Sequence, residues 1–328
     1  MNAFMRAGAL SHMIIGHNRE LAVKRQPDWL RELPLRGRLS AEEPMARHCS
    51  WRAGGAAERF FEPVDLADLV MFLRAAPPEE TLTVMGLGSN LLVRDGGLRG
   101  TVIATAQAFD QITWRADHTV HAGAGVACAK VAKLAARRQL GGGEFLAGIP
   151  GTIGGALAMN AGAFGYEIWG LVTGVETINR RGDIQSRPAS AFQAAYRQVA
   201  GLDQEWFVAG VLRLTTDPAA AARVRSLLTQ RRVQQPLGLP SCGSVFKNPL
   251  GDFAGRLIEA AGRKGARQGG AYVSPKHANF IINDGTATAA DIEDLMLSLQ
   301  QHVAQQFGVH LESEVRILGE RAAPVATL

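Results

Sequence analysis

Gly86-Leu87-Gly88-Ser89-Asn90-Leu91-Leu92-Val93 and Gly148-Ile149-Pro150-Gly151-Thr152-Ile153-Gly154-Gly155 are the stretches on which the reading of this chain turns. The first follows a Thr-Leu-Thr-Val-Met run at 81–85 that reads as a buried strand. Gly-x-Gly after a strand invites comparison with the dinucleotide fingerprint of a Rossmann unit. It fails that comparison twice: Leu91 stands where the third glycine belongs, and a strand-like segment follows where a helix is required. What remains is a tight loop exposing backbone N–H groups beside Ser89 and Asn90, a concave set of donors that suits pyrophosphate oxygens. The second stretch lacks the Gly-Lys-Ser/Thr ending of an ATP-binding loop. Its missing Cβ atoms let backbone approach a phosphate or a ring closely. Gly123-Ala124-Gly125 lies between the two, and Asn160-Ala161-Gly162 prolongs the small-residue surface. One such cluster is satisfied by close helix–strand packing. Several together point to a dinucleotide held outside a Rossmann unit.

Around these loops, strands and helices alternate. Asp65 caps a helix whose Leu66, Leu69, Val70 and Leu73 recur at helical spacing, and Pro77-Pro78 stops it. Further helices are predicted over 126–139, 218–234 and 289–307, the last begun by Thr288 with Asp291 three positions on. Strands are predicted at 91–93, 101–104, 119–122, 172–179, 207–214, 279–283 and 312–318. This order predicts an α+β protein of several small layers. The expected divisions are a basic N-terminal extension at 1–38, then units at 39–107, 108–222 and 223–328.

Composition narrows the function. The chain of 328 residues is 47% hydrophobic and 20% charged, ordinary for a globular enzyme. No run approaches the ~20 apolar residues of a membrane-spanning helix, and no secretory leader is legible, so the cytoplasm is the expected location. The net charge of +5 is concentrated: residues 1–38 hold seven Lys/Arg against three Asp/Glu, or +4. The body therefore has no general preference for nucleic acid, and a solvated or loosely docked tail is expected. Cys49, Cys128 and Cys242 are dispersed, and no His/Cys/carboxylate cluster has metal spacing, so neither a disulfide framework nor a metal is expected.

Six motifs, in unbroken order from about residue 40 to residue 319, resemble one family. Gly86–Val93, Glu144-Phe145-Leu146-Ala147-Gly148-Ile149-Pro150-Gly151-Thr152 and Asn160-Ala161-Gly162-Ala163 are similar to the FAD-binding half of the UDP-N-acetylenolpyruvoylglucosamine reductases. Gly243-Ser244-Val245-Phe246-Lys247-Asn248-Pro249, Lys276-His277-Ala278-Asn279-Phe280 and Glu312-Ser313-Glu314-Val315-Arg316 resemble its substrate half. The resemblance implies a two-subdomain FAD-binding module of the vanillyl-alcohol-oxidase-like type with a smaller α+β substrate domain. It implies FAD as cofactor, NADPH as hydride donor, and reduction of UDP-N-acetylglucosamine enolpyruvate to UDP-N-acetylmuramate by a monomer. FAD is expected at Gly86, Gly88, Ser89, Asn90, Leu91, Gly123, Gly148, Ile149, Pro150, Gly151, Thr152, Gly154, Gly155, Asn160, Ala161 and Gly162, with Arg316 alongside. Cys49-Ser50 stands where the family has Asn-Thr; Ser50 keeps the hydroxyl. No tyrosine lies between Arg197 and Ser244, which matches the subtype without an inserted tyrosine loop. A flavin oxidase of small alcohols would share the glycine clusters, yet it gives no reason for the pairing of the motifs at Ser244–Asn248 and Glu314–Arg316.

The chemistry so implied makes definite demands. Hydride added to carbon 3 of an enolpyruvyl ether leaves charge on carbon 2 and its carboxylate. A guanidinium is suited to that charge, and the resemblance assigns Arg197, in Tyr196-Arg197. The enolate must then be protonated, a role that falls to Ser244. Strand alternation alone makes Glu314 a solvated side chain; the resemblance makes it a buried carboxylate near carbon 2, with a raised pKa. Tyr196, Arg231, Arg232, Asn248 and His277 are the candidates for holding the UDP-sugar.

Overall fold

The computed structural model describes residues 27–323. Its first layer is assembled from helix α1 (Asp28–Arg31), strands β1 (Arg38–Pro44) and β2 (Ala56–Glu62), helix α2 (Leu66–Ala75), and strands β3 (Leu82–Met85), β4 (Leu91–Val93) and β5 (Leu98–Ala104). A four-stranded sheet runs β1-β2-β5-β3, antiparallel at β1–β2 and parallel elsewhere. Asp65 caps α2 as its sequence requires, accepting from the Asp68 amide. Phe61, Phe72 and Ile103, all at 0% exposure, form the core between helix and sheet.

The expectation of a loose N-terminal segment is corrected for residues 27–38. Leu30 is buried against the same core, and Trp29 meets Phe72 edge-on at 5.6 Å. The Asp68 carboxylate, buried, accepts from the amides of Arg36, Gly37 and Val64. Charge counting along the sequence does not register two apolar side chains with a buried carboxylate waiting for the backbone beside them.

The second layer holds β6 (Ile112–Trp114), β7 (Thr119–Gly123), α3 (Cys128–Arg137), β8 (Leu140–Gly141), α4 (Ile153–Met159), β9 (Gly162–Ala163), β10 (Tyr166–Glu167), β11 (Val172–Asn179), β12 (Ile184–Pro188), β13 (Gln193–Ala195), β14 (Gln198–Ala200), β15 (Glu205–Arg213), β16 (Thr215–Thr216) and α5 (Ala220–Gln234). Its antiparallel sheet has the order β12-β11-β15-β7-β6, while β9–β10 and β13–β14 are short hairpins. Val120, Leu157, Ile153 and Leu212 fill the space between this sheet and α3 and α4.

The third layer consists of α6 (Ala254–Ala260), β17 (Arg267–Gln268), β18 (Ala271–Val273), β19 (Ile281–Asn283), α7 (Ala289–Phe307) and β20 (Arg316–Leu318). The capping box expected at Thr288 and Asp291 is present in full. The final strand departs from the expectation of 312–318. Only Arg316–Leu318 pairs regularly, parallel to β4 of the first layer. Residues 312–314 bond instead to Val245–Lys247, through Lys247 N–H to Glu312 C=O and Glu314 N–H to Val245 C=O. One short segment thus serves two partners and changes between them at Glu314, and no continuous strand forms.

Candidate active site

The glycine loops meet one another. A Cβ built on Gly86 would lie 2.4 Å from Thr152 Oγ1, one on Gly151 3.1 Å from Ser89 Oγ, and one on Gly154 2.7 Å from Ala124 Cβ. Gly88 is held at φ +60°, against the carbonyl of His48, where no Cβ fits. Thr152 is buried and its hydroxyl accepts from Gly155 N–H, capping α4. Gly123, inside β7, is instead pressed on the Phe109 carbonyl. Gly148 lies under the Phe164 ring. Ile149 is buried and Pro150 exposed. Among the described residues, the amides of Gly88, Ser89, Asn90, Gly151 and Thr152 donate to no acceptor of the chain. These are orphaned donors on two facing loops. Beside them a cavity of about 340 Å³ opens between His48, Ser50, Phe60, Met85, Gly86 and Leu87.

On the other side of these loops three distant parts of the chain converge. Hairpin β13–β14 turns through Tyr196 and Arg197, and Arg197 takes a left-handed φ of 56°. Its Nε donates to Glu314 Oε1 at 2.8 Å, and its two Nη groups donate to the carbonyls of Asn160 and Gly162 at 3.3 Å. Glu314 hands its own amide to Val245, the residue after Ser244, and its carbonyl accepts from Asn90 Nδ2 at 2.9 Å. Asn90 C=O in turn accepts from Arg316 N–H. Burial pushes the Glu314 carboxyl above the usual range, with Arg197 pulling the other way. Leu91 starts β4 beneath this junction, and the Arg316 side chain is exposed at its edge.

Ser244 opens onto a cavity of about 430 Å³ with Asn248, Phe253, Arg256, Lys276 and His277 in its wall. Tyr196 reaches across to it: its phenol oxygen accepts from Asn248 N–H at 3.3 Å. The Asn248 side chain turns away to cap α6, accepting from Ala254 N–H at 3.1 Å. His277 Nδ1 accepts from Asn279 N–H, and burial lowers its pKa, so the ring is held toward its neutral form. Arg231 is half-buried, with Nε on Gln235 Oε1; Arg232 is exposed, and its carbonyl accepts from Lys276 Nζ. Phe253, Arg256 and Lys276 were not singled out from the sequence. Lys276 stood beside His277 in a quoted motif, but nothing in the sequence places Phe253 or Arg256 at a cavity. Asn160 closes α4 at φ 46°, its amide bonded to Glu167 and the Ala195 carbonyl; Ala161 N–H and Gly162 follow in the same turn.

Residues 235–318 match the profile of the UDP-N-acetylenolpyruvoylglucosamine reductase C-terminal domain, and residues 57–186 that of an FAD binding domain. The UDP-N-acetylenolpyruvoylglucosamine reductase of Alkalilimnicola ehrlichii is 57% identical over 286 residues, covering 87% of this chain and 96% of its own. That of Methylococcus capsulatus is 55% identical over 292 residues, covering 88% and 96%. This chain is a member of the UDP-N-acetylenolpyruvoylglucosamine reductase family. The crystal structure of the Thermus caldophilus reductase agrees, with a TM-score of 0.72 at 30% identity over 86% of this chain and 99% of that one.

The family membership makes the chain an FAD-dependent oxidoreductase, and the loop geometry fits the cofactor. A pyrophosphate needs several converging N–H donors with no Cβ in the way, and that is what loops 86–90 and 151–155 present. Beside those loops Arg197 of the second layer is bonded to Glu314 of the third, whose amide is bonded in turn to Val245, next to Ser244. Among the described residues no group of His, Cys, Asp or Glu could hold a metal ion, and no helix is long and apolar enough to cross a membrane.

Proposed function

We propose that this chain reduces UDP-N-acetylglucosamine enolpyruvate to UDP-N-acetylmuramate with NADPH, as a monomer in the cytoplasm, and belongs to the subtype without the tyrosine loop. The observation that carries the reading is the Arg197–Glu314 pair fixed, through one amide, to the segment that bears Ser244. FAD, which the 86–90 and 151–155 loops would hold, would supply hydride transfer between the nicotinamide and carbon 3 of the enolpyruvyl group. The chain supplies the rest. Arg197 offers planar guanidinium donors to the carboxylate on which charge accumulates. Glu314, kept toward its acid form by burial, lowers the cost of that charge by hydrogen bonding. Ser244, at the cavity wall, gives its proton to carbon 2. Tyr196 and Asn248 join the FAD-binding part to the cavity, while Lys276 and Arg256 bring cations to it for the diphosphate.

The test is optical. The purified protein should be yellow, bleach with NADPH, and regain its colour with UDP-N-acetylglucosamine enolpyruvate. Bleaching by a small alcohol with recovery in oxygen, and no recovery with the UDP-sugar, would favour an oxidase instead.

A further inference from the structure

Arg197 has a second carboxylate beside it. Glu167 ends hairpin β9–β10 opposite Gly162, and its Oε1 stands 3.6 Å from Arg197 Nη1. Its Oε2 accepts from Asn160 Nδ2 at 2.7 Å. That same amide nitrogen donates to the Ala195 carbonyl at 3.0 Å, and the Asn160 carbonyl accepts from Arg197. The Glu167 stem lies across Gly162, where a Cβ would come within 3.0 Å of Glu167 Cγ and 2.2 Å of the Tyr166 carbonyl. Asn160 closes its helix in left-handed backbone at φ 46°, a place asparagine takes readily, and Arg197 takes the same region at φ 56°, where a long side chain is uncommon.

We propose that Glu167 is a positioning residue of this active site: through Asn160 and Arg197 it fixes the guanidinium plane and shares its charge, leaving Glu314 less fully paired. The proposal rests on the function stated above. Arg197 has five donors, and the chain already holds its Nε and both Nη groups. With Glu314 on one edge and Glu167 on the other, the guanidinium cannot swing toward either without losing a partner. The charges are also lopsided, with one cation serving two carboxylates. The other charge facing Glu314 is Lys247, which is itself paired with Glu312 at 3.2 Å; Arg197 is the cation facing Glu167. An anionic substrate entering such a site is helped if Glu314 is the carboxylate that carries a proton, and Glu167 biases the site that way.

Glu167→Gln separates charge from packing, because glutamine keeps an oxygen for Asn160 and fills the same space. Stopped-flow measurement of the flavoprotein should show reduction by NADPH at the wild-type rate. Reoxidation by the UDP-sugar should slow by ~10- to 100-fold, the scale on which a misaligned catalytic group is felt. The alkaline limb of the reoxidation pH profile should also move to lower pH, since Arg197 then pairs wholly with Glu314. Glu167→Asp, which keeps the charge on a shorter stem, should leave the limb in place while the rate falls. A Glu167→Gln enzyme matching the wild type in rate and limb overturns the proposal. So does equal slowing of both half-reactions. If Glu167→Gln fails to retain flavin, a Glu167→Asp enzyme with wild-type reoxidation overturns it. A wild-type flavoprotein that NADPH reduces but the UDP-sugar never reoxidises would overturn the assigned function and this role together.

Discussion

Ser244 and Glu314 are far apart in sequence and one hydrogen bond apart in the fold, since the Glu314 amide donates to the residue that follows Ser244. Their roles separate experimentally. If Ser244 is the proton donor to carbon 2 proposed above, Ser244→Ala should leave flavin reduction by NADPH unchanged and slow reoxidation by the UDP-sugar ~10²- to 10⁴-fold; equal slowing of both steps in stopped flow would contradict the assignment. Glu314 has its pKa raised by burial. Its acid form therefore persists to higher pH than for a free glutamate and is lost as pH rises through the displaced value. The wild-type reoxidation rate should fall along that limb, and Glu314→Gln should lower the rate and flatten the limb. Arg197→Lys should not restore the full rate, because an ammonium lacks the planar paired donors that Arg197 spends on Glu314 and two carbonyls. At this scale the sequence alone was nearly mute. Alternation made Glu314 a solvated strand residue, and only the run of motifs singled out Ser244, Arg197 and Glu314 together.

At the scale of elements, local rules were legible wherever the signal was local. Asp65 and Thr288 cap the helices that follow them because a side chain within three residues satisfies an orphan amide. What local rules missed depends on partners elsewhere. Asp95, in a turn of the first layer, accepts from the amides of Ala289 and Ala290 at the start of α7, a second cap across 194 positions of chain. The strap at residues 27–38 is of the same kind. Leu30→Ala should cost about 2–5 kcal/mol, as for other buried leucines, and lower the thermal midpoint. Deletion of residues 1–38 should destabilise the flavoprotein for the same reason, and a deletion mutant melting at the wild-type temperature would show that the strap is dispensable.

Across the whole molecule, the first and third layers share hydrogen bonds, an ion pair and a core. Trp51 of the first layer donates to Ile281 C=O and accepts, at its own carbonyl, from Asn283 Nδ2, while Arg94 pairs with Glu293 of α7. Trp51 and Leu92 sit in the same core as Leu257, Ile292 and Leu299 of the third layer. Calorimetry should therefore find one cooperative unfolding transition, and residues 223–328 expressed alone should lack fixed tertiary structure, having lost β4 and the Trp51 face. Two separated transitions would show the layers to be independent. The sequence by itself determined the α+β class, the glycine loops, the capped helices and, through six ordered motifs, the family, because each is written in neighbouring residues or in their order. The tertiary structure alone decided that the last strand returns to β4, that an N-terminal strap belongs to the core, and that Glu167 stands behind Arg197. Those contacts join residues whose spacing along the chain carries no periodic signal, and their energy appears only when the intervening chain has folded.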